Sequence, residues 1–256
     1  MTTPRRAEAR SDAEAAAGTG ERDVAAIGAL IGDRTRAAFL LALLGGTPLP
    51  ASVLAERAGV SRPLASAHLR KLTEGGLVRV EPRGRQRLYR LAGEPVATAL
   101  EALAVLSPPE EIRSLRASVE AADLRYARLC FDHLAGVLGV ALADRLVAEG
   151  LLEGEAGGYG VTDAGRVAFS RLGVAPSRLA RDDRERPLTR ACRDWSEGRF
   201  HLAGSLGAAL TARMLGEGWL RVREGTRIVR VTPAGRTALH RAFGLEPDAL
   251  RAGSPG

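Results

Sequence analysis

Apolar residues recur every three or four positions through residues 24–44, the spacing of one buried face of a helix. The pattern is interrupted at Gly32-Asp33 and closed by Gly45-Gly46, residue types that commonly end helices. We therefore expect one or two helices at the start of the folded region.

The next segment predicts two helices joined by a tight turn. Residues 51–58 form a short amphipathic pattern, and Gly59 can adopt the left-handed backbone that such a turn requires. Ser61 stands where an N-cap belongs, and Pro63 lies in the first turn, where its missing N–H does no harm. The second helix should bury Leu64, Leu69 and Leu72. This arrangement is typical of a helix-turn-helix that enters the DNA major groove.

A β-hairpin is predicted directly after the second helix. Residues 77–91 alternate apolar and polar positions about Pro82, Arg83 and Gly84. The tip also carries Arg85 and Arg87. A basic tip in this position is a wing, which can neutralise phosphates or enter the minor groove.

The positive charge of the chain is concentrated in this region. The whole chain has a formal net charge of +7. Residues 30–93 contain eleven basic and four acidic residues, 11 − 4 = +7, so the remainder is collectively neutral. A polyanionic partner, nucleic acid, is favoured.

Residues 28–91 resemble the ArsR/SmtB family of dimeric bacterial repressors, through the segments GDRTRAAFLLAL, LAERAGVSRPLASAHLRKLTEGGLV and RLYRL. The resemblance implies a winged-helix dimer on a near-palindromic operator, with a helix over residues 94–106 that pairs the protomers, assisted by the first helix. For His68, packing beneath the helix and contact with a phosphate remain alternatives. The expected DNA-contacting residues are Ser61, Arg62, Pro63, Ser66, His68, Arg70, Lys71, Arg83, Arg85 and Arg87.

The familiar metal sites of this family are missing. Many relatives bind metals through a cysteine pair in the helix before the recognition helix, or through histidine and carboxylates on the dimer helix. Residues 51–58 and 95–106 contain neither cysteine nor histidine. A sensing site in this chain must therefore lie elsewhere.

The second half of the chain contains an internal repeat. After Pro108-Pro109, residues 110–129 predict a long connecting helix. The tetrads HLAG at 133–136 and 201–204 are 68 residues apart, and each follows a Cys-x-Asp. Each copy then predicts a helix, a hairpin and a helix capped by threonine, the latter part of a winged helix.

The expected fold class is mainly α with small β-hairpins (α+β). An N-terminal winged helix-turn-helix precedes C-terminal duplicated winged-helix-like units. The expected domains are a disordered tail (1–23), the DNA-binding and dimerisation domain (24–107), the connecting helix (108–129) and a C-terminal domain (130–250) with repeats at 130–174 and 192–245.

Both cysteines and two of the four histidines fall in the repeat, at Cys130, His133, Cys192 and His201. If the copies pack about a pseudo-twofold axis, these side chains converge on a metal ion or, through Cys and His, on haem. Cys130 and His133, three apart, are expected to share a helix face. Around them, Asp132, Asp194 and Trp195 are expected to support the site. The open alternatives are redox sensing by the thiols, an organic effector pocket, and structural roles alone for all four residues.

Other function classes find little support. No apolar run approaches the roughly 18 residues of a membrane span, and two cysteines fit a reducing compartment. Phosphate loops, nucleophile elbows and zinc-protease motifs are absent, so we expect no enzyme. The expectation is a cytoplasmic, nucleoid-associated bacterial repressor that binds an operator as a homodimer and responds to an effector. The alternative is a weakly specific architectural DNA-binding protein.

Overall fold

A winged helix-turn-helix forms the first part of the computed structural model, which describes residues 21–84, 86–112, 114–154, 158–176 and 186–253. Its elements are α1 (Val24–Ile31), α2 (Arg34–Leu43), β1 (Leu49–Pro50), α3 (Ala51–Ala58), α4 (Arg62–Glu74), β2 (Val78–Arg83), β3 (Gln86–Leu91) and α5 (Glu94–Leu106). Strands β2 and β3 form the predicted hairpin, and β1 pairs with β3 as a third strand. The predicted tail, residues 1–23, lies outside the described residues except for 21–23.

The local signals in the sequence act as expected at the helix ends. Gly59 ends α3 with a left-handed φ of 64°, and the Ser61 hydroxyl accepts a hydrogen bond from the Leu64 amide at 3.4 Å. Asp33 separates α1 from α2 by accepting a bond from the Arg36 amide at 2.9 Å. The helix predicted over residues 94–106 has those bounds.

The prediction that Leu64 faces the core is wrong. Its side chain is 46% exposed, whereas Ala65, Leu69 and Leu72 are buried. Positions 65, 69 and 72 follow the spacing i, i+4 and i+7 of one helix face, and Leu64 lies one position away from it. A small residue therefore occupies the place expected for a leucine.

The second half of the structure alternates hairpins and helices. Its elements are α6 (Leu115–Tyr126), β4 (Arg128–Cys130), β5 (His133–Ala135), α7 (Val137–Ala148), β6 (Leu152–Glu153), β7 (Gly160–Val161), α8 (Asp163–Arg171), β8 (Arg190–Arg193), β9 (Phe200–Ala203), α9 (Gly204–Gly216), β10 (Leu220–Val222), β11 (Val229–Val231), α10 (Pro233–Phe243) and α11 (Pro247–Ala252). Within the described residues, no helix combines the length and apolar composition needed to span a bilayer.

The connecting helix is shorter than the predicted range of 110–129. Helix α6 begins at Leu115, capped by Ser114, and ends at Tyr126. The chain then forms β4, which pairs with β5 through a two-residue turn, Phe131-Asp132. This turn contains no glycine, proline or asparagine, so the usual sequence signal of a hairpin is missing.

The two copies of the repeat have the same order of elements: hairpin, helix, hairpin, helix. The order is β4–β5, α7, β6–β7 and α8 in the first copy, and β8–β9, α9, β10–β11 and α10 in the second. Thr162 and Thr232 cap α8 and α10, as predicted. The histidines of the HLAG tetrads, however, lie in strands β5 and β9 and not at helix starts.

The copies pack on each other reciprocally. A Cβ added to Gly139 of α7 would lie 3.7 Å from Cβ of His201, and one added to Gly207 of α9 would lie 3.5 Å from Cβ of His133. Each helix thus runs past the histidine strand of the other copy, with glycine at the crossing. This reciprocal packing brings the hairpins β4–β5 and β8–β9 together.

Two large apolar cores are present in the described residues, besides a small cluster of Cys130, Ala135, Cys192 and Ala203. One lies within the winged helix-turn-helix and includes Phe39, Leu54 and Leu69. The other joins both copies of the repeat and extends back to Tyr126 at the end of α6. Phe131, from the turn between β4 and β5, packs against the first core. The hairpin that carries Cys130 and His133 therefore contacts both halves of the chain.

Candidate functional site

Helix α4 presents a polar and basic surface to solvent. The residues expected to contact DNA that are exposed on it are Ser61, Arg62, Pro63, Ser66, Arg70 and Lys71. Arg70 lies 3.8 Å from Glu74, an exposed pair that water screens strongly. Arg62 and Lys71 have no carboxylate partner within the described part of the chain. Their charges remain available to a phosphate or a base edge.

His68 is directed toward the core side of α4. Its side chain is 14% exposed, its ring is edge-on to Phe39, and Nδ1 lies 3.4 Å from Oδ1 of Asp33. These contacts correspond to the packing alternative. Of the recognition-helix positions, His68 is the one that the geometry turns away from the exposed surface.

The wing concentrates its uncompensated charge at the tip. Arg79 and Arg90 both approach Glu81, at 3.8 and 2.8 Å. Arg83 and Arg87 are exposed at the tip, and no carboxylate in the described residues pairs with them. Arg85 lies outside the described residues.

The four repeat residues Cys130, His133, Cys192 and His201 form one buried cluster. Cys130 faces His133 across the β4–β5 hairpin, and Cys192 faces His201 across β8–β9. One donor atom from each residue lies within 4.8 Å of the other three. The prediction that Cys130 and His133 share a helix face is wrong, because the same spacing of three closes a tight hairpin.

The two sulfurs lie close together inside the cluster, and so do the two imidazole nitrogens. Sγ of Cys130 and Sγ of Cys192 are 3.9 Å apart, and Nε2 of His133 and Nε2 of His201 are 3.2 Å apart. None of the four residues is more than 6% exposed. Donor atoms this close leave space for one ion among them and none for a haem macrocycle.

The sequence comparisons identify the winged part. Residues 31–81 match a family model described as "Helix-turn-helix domain". The chain is 40% identical over 224 residues to the uncharacterized HTH-type transcriptional regulator YdfF of Bacillus subtilis (strain 168), covering 88% of this chain and 98% of that protein. The chain belongs to the HTH-type transcriptional regulators.

Two solved structures match part of the chain, both with low TM-scores. The transcriptional repressor BigR from Xylella fastidiosa is 25% identical, with a TM-score of 0.32, over 40% of this chain and 98% of its own. The cadmium metal-sensor CMTR from Mycobacterium tuberculosis is 36% identical, with a TM-score of 0.29, over 36% of this chain and 96% of its own.

Each cluster histidine of the regulator is backed by the aspartate of its own copy. Nδ1 of His133 lies 3.3 Å from Oδ1 of Asp132, and Nδ1 of His201 lies 3.2 Å from Oδ2 of Asp194. The angle at His201 departs from hydrogen-bond geometry, so we treat that contact as electrostatic. In both cases the carboxylate faces Nδ1 and leaves Nε2 directed into the cluster.

The aspartates are held as carboxylates by two arginines, of which Arg128 is fully buried and Arg186 is partly exposed. Arg186 binds Asp132 through two bonds of 2.7 and 2.9 Å, and Arg128 binds Asp194 at 2.7 Å with both groups fully buried. Burial by itself would raise the pKa of Asp132, but hydrogen bonds from His133 and Arg186 lower it to about 2. For Asp194, burial is likewise outweighed by His201 and Arg128, and the pKa falls far below its usual value.

The thiols are inequivalent. The hydrogen bond from Cys130 lowers the pKa of Cys192, and the bonds from His133 and His201 lower it further against the effect of burial. The hydrogen bond to Cys192 raises the pKa of Cys130, with burial acting in the same direction. Burial would lower the pKa of His201, but Asp194 and Cys192 raise it. The cluster therefore favours a thiolate at Cys192.

Trp195 supports the cluster indirectly. Its ring lies under Arg128, with the guanidinium carbon 4.4 Å from the ring centroid, and so covers the arginine that binds Asp194. The expected supporting role of Trp195 thus runs through Arg128.

Several site residues escaped the sequence reasoning. They are members of partly or fully buried ion pairs: Arg128, Arg186, Arg190, Arg227, Glu94 and Glu101. An arginine within the apolar stretch around Arg128 is the one local signal, because a charge at such a position implies a buried partner. Partners from 66 to 126 residues away cannot be read from spacing.

Proposed function

We propose that this regulator is a sequence-specific repressor that binds operator DNA as a homodimer, and that its C-terminal half is the sensor controlling the binding. The observation that carries the DNA-binding part is the exposed, unpaired basic surface of α4 and the wing. The repressor role follows the resemblance of residues 28–91 to ArsR/SmtB repressors.

Dimerisation is supported by two exposed apolar helices. Helix α1 contains only apolar residues and glycine, yet none of its residues is buried; Val24 is 74% and Ile27 is 38% exposed. In α5, Leu103 and Leu106 are also exposed, at 42% and 82%. A second copy that covers α1 and α5 would remove this surface from water, in line with the family's use of these helices.

The sensor role is supported by contacts that join the cluster hairpin to the DNA-binding half. The amide of Phe131, between Cys130 and His133, donates to the carbonyl of Leu44 at 2.7 Å, just after α2. Phe131 has a φ of 61°, a left-handed backbone that is rare for an aromatic residue. A change at the cluster would therefore reach the start of the helix-turn-helix through this turn.

A second connection runs to the proposed dimer helix. Arg186 bridges Asp132, the partner of His133, to Glu94 in the first turn of α5, with a distance of 2.8 Å to Glu94. Arg227 reaches Glu101 in the middle of the same helix at 2.8 Å. These ion pairs join the second half of the chain directly to α5, so a shift of the β4–β5 hairpin would change the contacts that hold α5.

The test is a titration of the full chain against the DNA upstream of its own gene, with random competitor at two salt concentrations. Repression through an operator predicts tight binding that resists competitor. Binding that random competitor abolishes equally would favour the architectural alternative and overturn the proposal.

Paired variants separate base reading from phosphate contact. Arg62→Ala with Ser66→Ala should abolish the preference for the operator, whereas Arg83→Ala with Arg87→Ala should weaken all DNA similarly and reduce the salt dependence. Arg171→Ala, an exposed arginine of α8, is the control and should change neither. Equal losses on operator and random DNA for both pairs would contradict the assigned roles.

The sensor role is tested in the same assay by adding zinc, haem or an oxidant, or by removing metal with a chelator. A change in operator affinity with one treatment, and its loss in Cys192→Ser, would support the C-terminal sensor. Unchanged affinity under every treatment would leave the DNA-binding proposal standing and overturn the sensor.

A further inference from the structure

Two distances inside the cluster match edges of a coordination tetrahedron, and the remaining pairs of donor atoms lie within 4.8 Å of each other. Zinc–sulfur bonds of about 2.3 Å and zinc–nitrogen bonds of about 2.0 Å place two sulfurs about 3.8 Å apart and two nitrogens about 3.3 Å apart. The observed separations are 3.9 Å for the sulfurs and 3.2 Å for the nitrogens. Two thiolates and two imidazoles are a common ligand set of structural zinc.

The orientation of the imidazoles also calls for a cation. Asp132 and Asp194 face the two Nδ1 atoms, which favours the tautomer with the proton on Nδ1 in both histidines. The two Nε2 atoms face each other at 3.2 Å, where their lone pairs repel unless a positive centre, a proton on one ring or a metal ion, lies near both. A bound metal supplies that centre while both rings stay neutral, as histidine ligands are.

The charges of the surrounding residues balance without the cluster. Arg128 neutralises Asp194, Arg186 neutralises Asp132, and Arg227 neutralises Glu101. What remains is two cysteines and two histidines in a buried site. A divalent cation bound to two thiolates and two neutral imidazoles leaves the site neutral, which a buried position requires.

We propose that Cys130, His133, Cys192 and His201 form a closed tetrahedral site for one divalent, thiophilic metal ion of the zinc type. The site takes two ligands from each copy of the repeat, so the ion fastens the two hairpins together. The ion is then the ligand of the proposed sensor. Only its effect on DNA binding rests on the proposed function. Metal binding itself is measured without DNA.

Cobalt(II) provides the probe, because its absorption distinguishes tetrahedral from octahedral coordination. The full chain, reduced and stripped of metal by a chelator, is titrated with cobalt. We expect saturation at one ion per chain, intense ligand-field bands of a tetrahedral site and a thiolate-to-cobalt charge-transfer band, all displaced by zinc. The chain has only two cysteines, so the charge-transfer band can arise only from Cys130 and Cys192.

Variants assign the ligands. Cys130→Ser and Cys192→Ser should each diminish the charge-transfer band, and His201→Gln should keep that band but alter the ligand-field bands. Asp194→Asn should weaken cobalt binding about 10- to 100-fold, the usual cost of losing a group that orients a ligand, and ligand removal should cost more. His240→Gln replaces an exposed histidine outside the cluster and should bind cobalt like the unaltered protein.

A second readout covers variants that fold poorly. Zinc should raise the melting temperature of the unaltered protein and of His240→Gln, but not that of Cys192→Ser. Octahedral absorption, the absence of saturable binding, or a spectrum unchanged by both serine variants would overturn the metal site. Failure of the reduced chain to bind cobalt, together with reversible formation of a Cys130–Cys192 disulfide by an added oxidant, would favour a redox role instead. DNA binding that persists in the metal-free protein leaves the repressor proposal intact in either case.

Discussion

Glu101 illustrates how much a single buried charge depends on its partner. Its side chain is almost fully buried on α5, and its partner Arg227 comes from the segment between β10 and β11. Burial lowers the pKa of Arg227 and Glu101 opposes this effect. The pair also joins the DNA-binding half to the C-terminal half, so its removal weakens the contact between them.

We expect Glu101→Leu to destabilise the protein by about 3–5 kcal/mol, because it leaves the Arg227 guanidinium buried without a counter-charge. The double variant Glu101→Leu with Arg227→Met removes both charges and should recover most of that loss. The free energies of unfolding of the unaltered protein, the single variant and the double variant, measured in urea, test this expectation. If the double variant is no more stable than the single one, the loss of stability in Glu101→Leu does not come from an unpaired charge on Arg227.

At the scale of elements, helix α1 and the turn between β4 and β5 have separate tasks. The exposed apolar surface of α1 belongs to the proposed dimer interface. The turn connects the cluster hairpin to the DNA-binding half. Each can be altered without touching the cluster ligands.

Ile27→Glu should convert the proposed dimer to a monomer, because it places a charge within the apolar surface of α1. Sedimentation of the full chain measures the mass. The matched control is Ile112→Glu, which introduces the same charge at an exposed isoleucine, 54% exposed, that belongs to neither α1 nor α5. A monomeric mass for the unaltered protein, or dimers for both variants, would refute this interface.

The close approach of Gly46 to Phe131 gives a second test at this scale. Gly46 has a φ of +70°, and a Cβ there would lie 2.4 Å from the Phe131 carbonyl oxygen. Gly150 has a similar φ of +66° with open space around it. Gly150→Ala should therefore cost about 1–2 kcal/mol for the left-handed backbone alone.

Gly46→Ala should cost more than that control, because the turn must also move away from Leu44. The free energies of unfolding of the two variants, measured in urea, give the comparison. Equal costs would mean that the contact between the turn and the DNA-binding half is loose.

At the scale of the molecule, the cluster and the DNA surface are linked through few contacts. The Arg186 bridge between Asp132 and Glu94 is the most direct of them to the proposed dimer helix. If occupancy of the cluster controls DNA binding, the change in operator affinity should lie in the usual range of coupling, about 5- to 150-fold.

Arg186→Gln should uncouple the two sites: zinc still binds, but operator affinity no longer responds to it. Operator affinity with zinc and with chelator gives the ratio, and cobalt absorption shows that the site remains filled. Arg199→Gln breaks an ion pair with Asp144 at the surface and should keep the full response. A normal response to zinc in Arg186→Gln would mean that other contacts couple the cluster to DNA binding, with the Phe131 turn as the next candidate.

Sequence reasoning succeeded where structure depends on neighbouring residues. The Gly59 turn and the Ser61, Thr162 and Thr232 caps follow from propensities that act over one helical turn, whereas the bounds of α5 were implied by the family resemblance. The family membership rests on the same local patterns. Leu64 was wrongly assigned to the buried face because the sequence pattern does not distinguish it from the adjacent position, Ala65, which is buried.

Only the tertiary structure decided the cluster. The sequence by itself indicated a duplicated motif with Cys and His, but it placed Cys130 and His133 on a helix, since a spacing of three suits both a helix face and a two-residue hairpin. Convergence of Cys130 with Cys192 depends on the reciprocal packing of the two copies around Gly139 and Gly207. Such contacts join residues more than sixty positions apart, and their energy resides in packing and desolvation that no local pattern encodes.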